Sequence, residues 1–405
     1  MITNNIIRTY TNKLKNNYFL LVFYGFVLRL VFSFFGHNSD WPGVKHKIFL
    51  LRESYNVYDF ESYPYFWTRF FIELPIFNLI DSFNLQIYKF VDYQRIIYFL
   101  MLYLIQIIFL NIYKKHIPEK IFIYFHTSLV LAINSGFFNQ LDTFVLVVSI
   151  CILFGLEGEH GRLKMFVHGF LFFFFSSIKP VLAPIVLFIF FIFNLKKVFY
   201  FYFGIAISAL SSVAVIYLLD GIFPRYNIYW TLRNILTYKG FDNYPLFNFL
   251  GFELDILNNL NLNLRLISYS LFILCLSFYL FNLKEKNVKS LIFYYLILYF
   301  IFSPTLAQQN IVALFIAINL LNLNIKQYFL NLIEVLTVGY LILLNIYSIM
   351  DDTIKNLDYL IFDIYFFLQY HQILLRPSER YFGNFIALAI FILYLSNKKT
   401  NNNPI

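Results

Sequence analysis

The sequence predicts an all-α polytopic membrane protein: about twelve transmembrane helices, with extracytoplasmic loops that carry short interfacial helices. Three observations lead there. The chain is 60% hydrophobic and only 13% charged, about half the roughly 25% of a soluble domain, and its mean hydropathy is +0.67. Apolar runs close to the about 20 residues needed to cross a bilayer recur along the chain. The Lys and Arg residues behind the net charge of +9 fall mostly between those runs, which is a membrane-topology signal rather than a nucleic-acid one. Collagen-like, disordered and disulfide-scaffold compositions do not fit. Cys151 and Cys275 both lie inside apolar runs, so no disulfide framework is implied. The 54 Phe and 33 Tyr carry no functional weight as a class, because an AT-rich genome favours such codons.

Residues 1–405 read as one integral membrane domain. The predicted spans are 18–36, 95–113, 121–137, 141–156, 165–178, 181–195, 198–219, 266–283, 290–303, 309–324, 328–349 and 381–396. The first has a long apolar part and no small-residue cleavage site after it, so it is a span rather than a cleaved signal peptide. Basic residues orient the set. Arg8, Lys13 and Lys15 precede the first span, and alternate connections carry Lys114, Lys115 and Lys120, then Arg162 and Lys164, then Lys196 and Lys197. Lys284, Lys286 and Lys289 follow, then Lys326, and finally Lys398 and Lys399. With twelve spans, every short basic connection and both termini fall on the cytoplasmic side.

The opposite side holds three long segments, 37–94, 220–265 and 350–380, and three short polar turns: FNQLD at 138–142, SSIKP at 176–180 and SPTLAQQN at 303–310. Loops longer than about 12–15 residues are uncommon unless they have a task, so the extracytoplasmic face is where chemistry is expected. Asp40 lies in FGHNSDW (35–41), eleven residues after Arg29, which is three turns at about 3.6 residues each, so both share a face if the helix continues. An embedded arginine normally faces a partner or a wet cavity, and a carboxylate beside it suits a general base; the competing reading is a water-exposed helix-end Asp. Residues 56–80, with Tyr63, Pro64 and Trp67, are too short and charged to span at 65–80 and fit an interfacial helix, or an ordinary amphipathic loop.

Gln140 and Asp142 offer hydrogen bonds to sugar hydroxyls, or Asp142 simply caps a helix. Lys179 breaks the basic-inside pattern and suits a phosphate, with snorkelling as the alternative. Asp220, Arg225, Arg233 and Lys239 lie in the second long segment; His371, Arg376 and Arg380 end the third. The arginines suit a phosphate or outer-leaflet headgroups, and Gln308 and Gln309 add uncharged hydrogen bonding. Glu334 lies midway down its span with no partner evident from the sequence. Walker A, dinucleotide, HExxH, GxSxG and Cys/His metal patterns are missing, so no cofactor and no metal are expected. Nor is there the internal repeat of many secondary transporters.

In their order, Arg29, Asp40, an N-x-Y…YP loop, a Q-x-D turn, a K-P turn and an S-P…Q turn resemble the GT-C glycosyltransferases. The nearest groups are the polyprenol-phosphate-mannose-dependent PimE-like and GPI-mannosyltransferase-like enzymes. The resemblance covers about residues 18–310. It implies that Asp40 is the catalytic base. Arg29, Tyr63, Pro64, Gln140, Asp142, Lys179 and Pro180 match family positions in the same way. Some relatives carry D-x-D where this chain has Asn38-Ser39-Asp40, which leaves Asp40 as the base and speaks against a metal. Arg29, Lys179, Arg225, His371, Arg376 and Arg380 would contact the donor phosphate; Tyr63, Gln140, Asp142, Gln308 and Gln309 would contact sugar or acceptor.

The implied reaction is inverting transfer of a hexose, mannose being the family's commonest, from a polyprenyl-phosphate sugar to a lipid-linked or envelope glycan acceptor. Membrane lipids are the other expected partners, and nucleic acid is not one. The expected location is a prokaryotic plasma membrane with the active site outside, to which the short tails and missing retention signal point. A lipid-linked polysaccharide polymerase or flippase is the alternative, since polymerases also place arginines in two long outer loops. A solute transporter would need a midplane site, for which only Glu334 and Arg29 are candidates.

Overall fold

Every regular element in the computed structural model is helical among the residues it describes, which are 18–35, 45–46, 48–50, 68–82, 93–137, 141–158, 161–178, 182–222, 264–282, 287–302, 310–320 and 331–339. The chain divides into two compact units, Met1–Lys239 and Gly240–Ile405. The first holds α1 (Tyr18–Phe35), α2 (Thr68–Ser82), α3 (Tyr93–Tyr113), α4 (Glu119–Thr127), α5 (Leu129–Ala132) with a π-turn (Ile133–Phe137), α6 (Leu141–Gly155), α7 (Arg162–Ile178), a 3-10 helix (Ala183–Phe191) and α8 (Leu195–Ile222). The second holds α9 (Leu264–Asn282), α10 (Val288–Phe302) and α11 (Asn310–Leu320).

Two of these helices, over Tyr93–Tyr113 and Leu195–Val215, are long and apolar enough to cross a membrane; Tyr18–Phe34, Thr143–Gly155, Tyr269–Asn282 and Val288–Tyr299 are apolar but shorter. At 21 residues, α3 is about 31 Å long, close to the about 30 Å of a hydrocarbon core. Its two faces are both apolar: Tyr98, Leu102 and Leu110 are buried, while Leu104, Ile108 and Ile112 are exposed. A soluble amphipathic helix would carry polar residues on the second face. Phe23, Val31, Leu210 and Phe278 are likewise exposed on α1, α8 and α9.

Local chemistry explains the ends. The turn after α3 is closed by His116 and Ile117 amides donating to Tyr113 O at 2.9 and 3.2 Å, and Pro118 precedes α4, whose first turn carries Glu119 against the positive end of the helix dipole. The predicted span 121–137 is two helices and a π-turn. Ser128 adopts an extended conformation (φ −65°, ψ 127°), and its hydroxyl accepts from Leu131 N, capping α5. The predicted span 181–195 contains a 3-10 helix of nine residues, long for a form whose runs rarely exceed about 3–4 residues. Tyr202 on α8 donates to Val186 O at 2.5 Å in its middle. The predicted last span, 381–396, lies outside the described residues.

Unit 1 has two chemically different ends. At one, Lys114 at the end of α3 lies 4.5 Å over the ring of Tyr18 at the start of α1, and Tyr18 stacks on Phe122 of α4 at 5.9 Å. Arg162 opening α7 sits 5.6 Å over Tyr200 of α8, so the first turns of α7 and α8 are side by side. Farther along, a Cβ on Gly169 would collide with the backbone of Phe201, and one on Gly204 with the backbone of Phe166. In unit 2, Asn287 caps α10 by accepting from Ser290 N at 2.8 Å. Tyr279 stacks on Tyr294 at 5.3 Å, and Phe272 meets Tyr295 edge-on at 5.3 Å.

Candidate functional site

The end of unit 1 opposite the lysine-rich one gathers buried polar side chains from α1, α2, α3, α6 and α7. Arg95, in the first turn of α3, donates from Nη2 to Ser33 O near the end of α1 at 2.7 Å. On α2, Arg69 Nε donates to Glu73 Oε1 at 2.5 Å, one helical turn apart. Tyr98 of α3 donates to the same carboxylate oxygen at 2.7 Å. Thr68 and Ser177 share a hydroxyl–hydroxyl bond of 2.9 Å that ties α2 to the end of α7. Thr143 near the start of α6 donates to Asn134 Oδ1 in the π-turn at 2.7 Å. All of these side chains are buried.

A second polar group lies deeper. Arg29 is 2% exposed. Its Nη1 donates to Gly25 O at 3.1 Å and His126 O at 3.3 Å, and its Nη2 to Phe125 O at 2.9 Å. Phe125 and His126 are in the last turn of α4, where carbonyls have no amide four residues on to receive, and the break at Ser128 creates that shortage. The guanidinium lies 4.0 Å over the ring of Tyr103, and the Tyr103 hydroxyl is 2.8 Å from His126 Nδ1. Gly25 lets the three helices approach: a Cβ there would meet the Tyr103 hydroxyl and, at 2.8 Å, His126 O. Toward the C-terminal end of α1, a Cβ on Gly136 would meet Arg29 O at 2.9 Å and Ser33 N at 3.1 Å, so the π-turn is seated directly on α1.

Of the residues nominated from sequence, Arg29 is described in full, and its hydrogen bonds among the described residues go to main-chain carbonyls. Asp142 is the second residue of α6. Asp40, Tyr63, Gln140, Lys179, Arg225, Gln308, Gln309, His371, Arg376 and Arg380 lie outside the described residues. In sequence, Asp40 follows the end of α1 by five residues, Gln140 immediately precedes α6, and Lys179 immediately follows α7; these are helix ends that meet in the polar cluster. Glu334 is buried in the helical stretch 331–339.

Sequence reasoning passed over Arg69, Glu73, Arg95, Tyr98, Asn134 and Thr143. Arg69 and Glu73 did leave a signal, an opposite-charge pair at i,i+4 spacing. Asn134-Ser135-Gly136 interrupts an apolar run, as a π-turn near a site often does. Arg95 and Tyr98 left none, because their meaning depends on which helix ends meet. Chemically, the cluster brings two guanidinium groups, one carboxylate and several hydroxyls into one buried region. No group of three or more His, Cys, Asp or Glu able to hold a metal occurs among the described residues. Compared with protein-family models, with curated proteins and with solved structures, the chain matches none.

Proposed function

We propose that this chain is a polytopic membrane glycosyltransferase of about twelve spans, moving a hexose from a polyprenyl-phosphate donor to a lipid-linked or envelope glycan acceptor. The observation that carries the reading is the polarity of unit 1. The buried network around Glu73, Arg95 and Ser177 lies at one end and lysines cluster at the other, and the chain leaves the polar end into the segments that hold Asp40, Gln140 and Lys179. By the charge rule for membrane topology, the lysine-rich end is cytoplasmic, so the polar end faces out of a prokaryotic plasma membrane. No nucleotide sugar is available there, and a lipid-borne donor is the physically coherent source. The α2 helix supports this: it packs Ile76, Phe77 and Ile80 inward and leaves Phe71 and Leu79 exposed, as a helix lying at an interface does.

In the proposed reaction Asp40 takes the proton of an acceptor hydroxyl, the oxygen attacks the anomeric carbon with inversion, and the bond to the phosphate oxygen breaks. The departing phosphate keeps that electron pair, and Lys179 or a late-loop arginine stabilises the charge as it develops. Arg69, Arg95 and Tyr98 hold the helix ends around this region rather than reacting. The test is transfer of label from polyprenyl-phosphate mannose into a host envelope-lipid extract by purified wild type and Asp40→Asn, both checked for folding. Transfer by wild type alone supports the donor class and the base together. Equal transfer by both proteins refutes Asp40 as base. If this donor is not consumed, polyprenyl-phosphate glucose is tried, and failure with both refutes the reading.

A further inference from the structure

The lysine-rich end of unit 1 contains a recess that the transferase reading leaves without a task. A cavity of about 470 Å³ opens between the first turns of α7 and α8, lined by Arg162, Met165, Lys196, Lys197, Phe199 and Tyr200 among others. Three cations face one volume, and among the described residues no carboxylate forms an ion pair with any of them. Asn194 accepts from the Lys197 amide at 3.0 Å and fixes the first turn of α8; Arg162 is steered by the Tyr200 ring. Other cations at this end are arranged differently: Lys114 covers the rings of Tyr18 and Phe122.

What lies beside the recess narrows the ligand. Phe199 on its rim is exposed and stacks parallel on Phe203 one turn deeper, with 6.4 Å between centroids. Phe203 is itself exposed and lies 5.7 Å from Phe166 of α7. The cationic recess therefore continues into an aromatic track running along α8 toward the middle of the bundle. A free anion would use only the first part, whereas a lipid uses both. We propose that the recess binds the phosphodiester headgroup of an anionic phospholipid, with Arg162, Lys196 and Lys197 around the phosphate and an acyl chain along Phe199 and Phe203. This rests on the membrane reading of the chain but not on the transferase reading.

The experiment titrates the purified full-length protein in neutral detergent with short-chain phosphatidylglycerol, phosphatidylcholine of the same chains, or glycerol 3-phosphate, and follows its melting temperature. A saturable rise with phosphatidylglycerol alone is expected. Lys196→Gln/Lys197→Gln should weaken the apparent affinity by about fivefold per cation removed, and Arg162→Gln by a similar single step. Lys115→Gln/Lys164→Gln, an equal charge loss at exposed sites of the same end, should leave it unchanged. Three results overturn the proposal: equal weakening by both double variants, which means diffuse charge attraction; an equal response to glycerol 3-phosphate, which means a soluble-anion site; or no saturable response. Alkaline extraction of host membranes separates the two failures. Release of the chain into the aqueous fraction refutes the membrane reading as well, whereas retention without a phosphatidylglycerol response refutes only the lipid site.

Discussion

The Arg29 guanidinium donates to the main-chain oxygen of His126 at 3.3 Å, while the imidazole Nδ1 of His126 shares a 2.8 Å hydrogen bond with the Tyr103 hydroxyl. Arg29 also lies 4.0 Å over the Tyr103 ring. One side chain from α1 thus closes the end of α4 and is itself covered by α3. This accounts for a buried arginine without requiring a carboxylate. The helix α4 stops inside the apolar stretch 121–137, its last carbonyls need donors, and the buried apolar side chains around them supply none.

Removing that donor should be costly. Arg29→Met leaves the Phe125 and His126 carbonyls without their donor and is expected to lower stability by about 1–3 kcal/mol for each, the cost of a buried acceptor left unsatisfied. Arg29→Lys should restore little, since an ammonium lacks the planar fork that reaches two carbonyls and stacks on a ring. Thermal melting of the three proteins in one detergent checks this. If Arg29→Met melts with wild type and only transfer is lost, Arg29 serves the donor phosphate instead.

Tyr103 offers a finer probe. Tyr103→Phe keeps the ring beneath Arg29 but deletes the bond to His126, and should cost about 1 kcal/mol. In a Gly25→Ala background the same change should cost less or become stabilising, because the added methyl collides first with that hydroxyl. A double-mutant cycle on melting free energies measures the coupling. Strict additivity would mean that the hydroxyl moves aside freely.

At the polar end, Glu73 receives both Arg69 and Tyr98. Tyr98→Phe and Glu73→Gln should each destabilise the seating of α2, and the pair together should cost less than the sum by about 0.5–3 kcal/mol, the range for groups in one network. Cross-linking yield between cysteines introduced at Thr68 and Ser177, whose hydroxyls touch at 2.9 Å, reports whether α2 stays docked. Undiminished yield in Glu73→Ala would show that the network does not hold this helix.

Much of the helical layout is legible in the sequence because long apolar runs without Pro leave little choice. The edges of α1, α3 and α6 fall within two residues of the predicted spans 18–36, 95–113 and 141–156. What resists reading is where an apolar run breaks. Ser128 inside HTSLVLA ends one helix and caps the next, yet Ser is also tolerated within helices, where it bonds back to a carbonyl four residues earlier. The cost of the break is met by Arg29, 99 residues earlier in the chain. The candidate site divides the same way. Arg29 stands out because a charge in an apolar run needs a reason, whereas Arg95 and Tyr98, at the start of α3, look like ordinary interface residues until Ser33 and Glu73 are brought beside them.

The glycine contacts between α7 and α8 give the sharpest test of the architecture. Gly169 of α7 and Gly204 of α8 each face the other helix's backbone, at Phe201 and Phe166 respectively. Neither backbone can rotate away as a side chain can, and small residues at such crossings let helices in membranes pack closely. Gly169→Ala and Gly204→Ala are each expected to destabilise by about 1–3 kcal/mol, the range for overpacking, despite the better helix propensity of Ala. Gly161→Ala is the control, since a Cβ there meets nothing within 4 Å. Melting temperatures of the three variants decide it: the first two should fall and the third should hold. Because α7 and α8 also frame the basic recess, Gly204→Ala should weaken phosphatidylglycerol binding while leaving Arg162, Lys196 and Lys197 in place. A Gly204→Ala protein with wild-type melting and wild-type lipid response would mean that the two helices do not cross at these glycines.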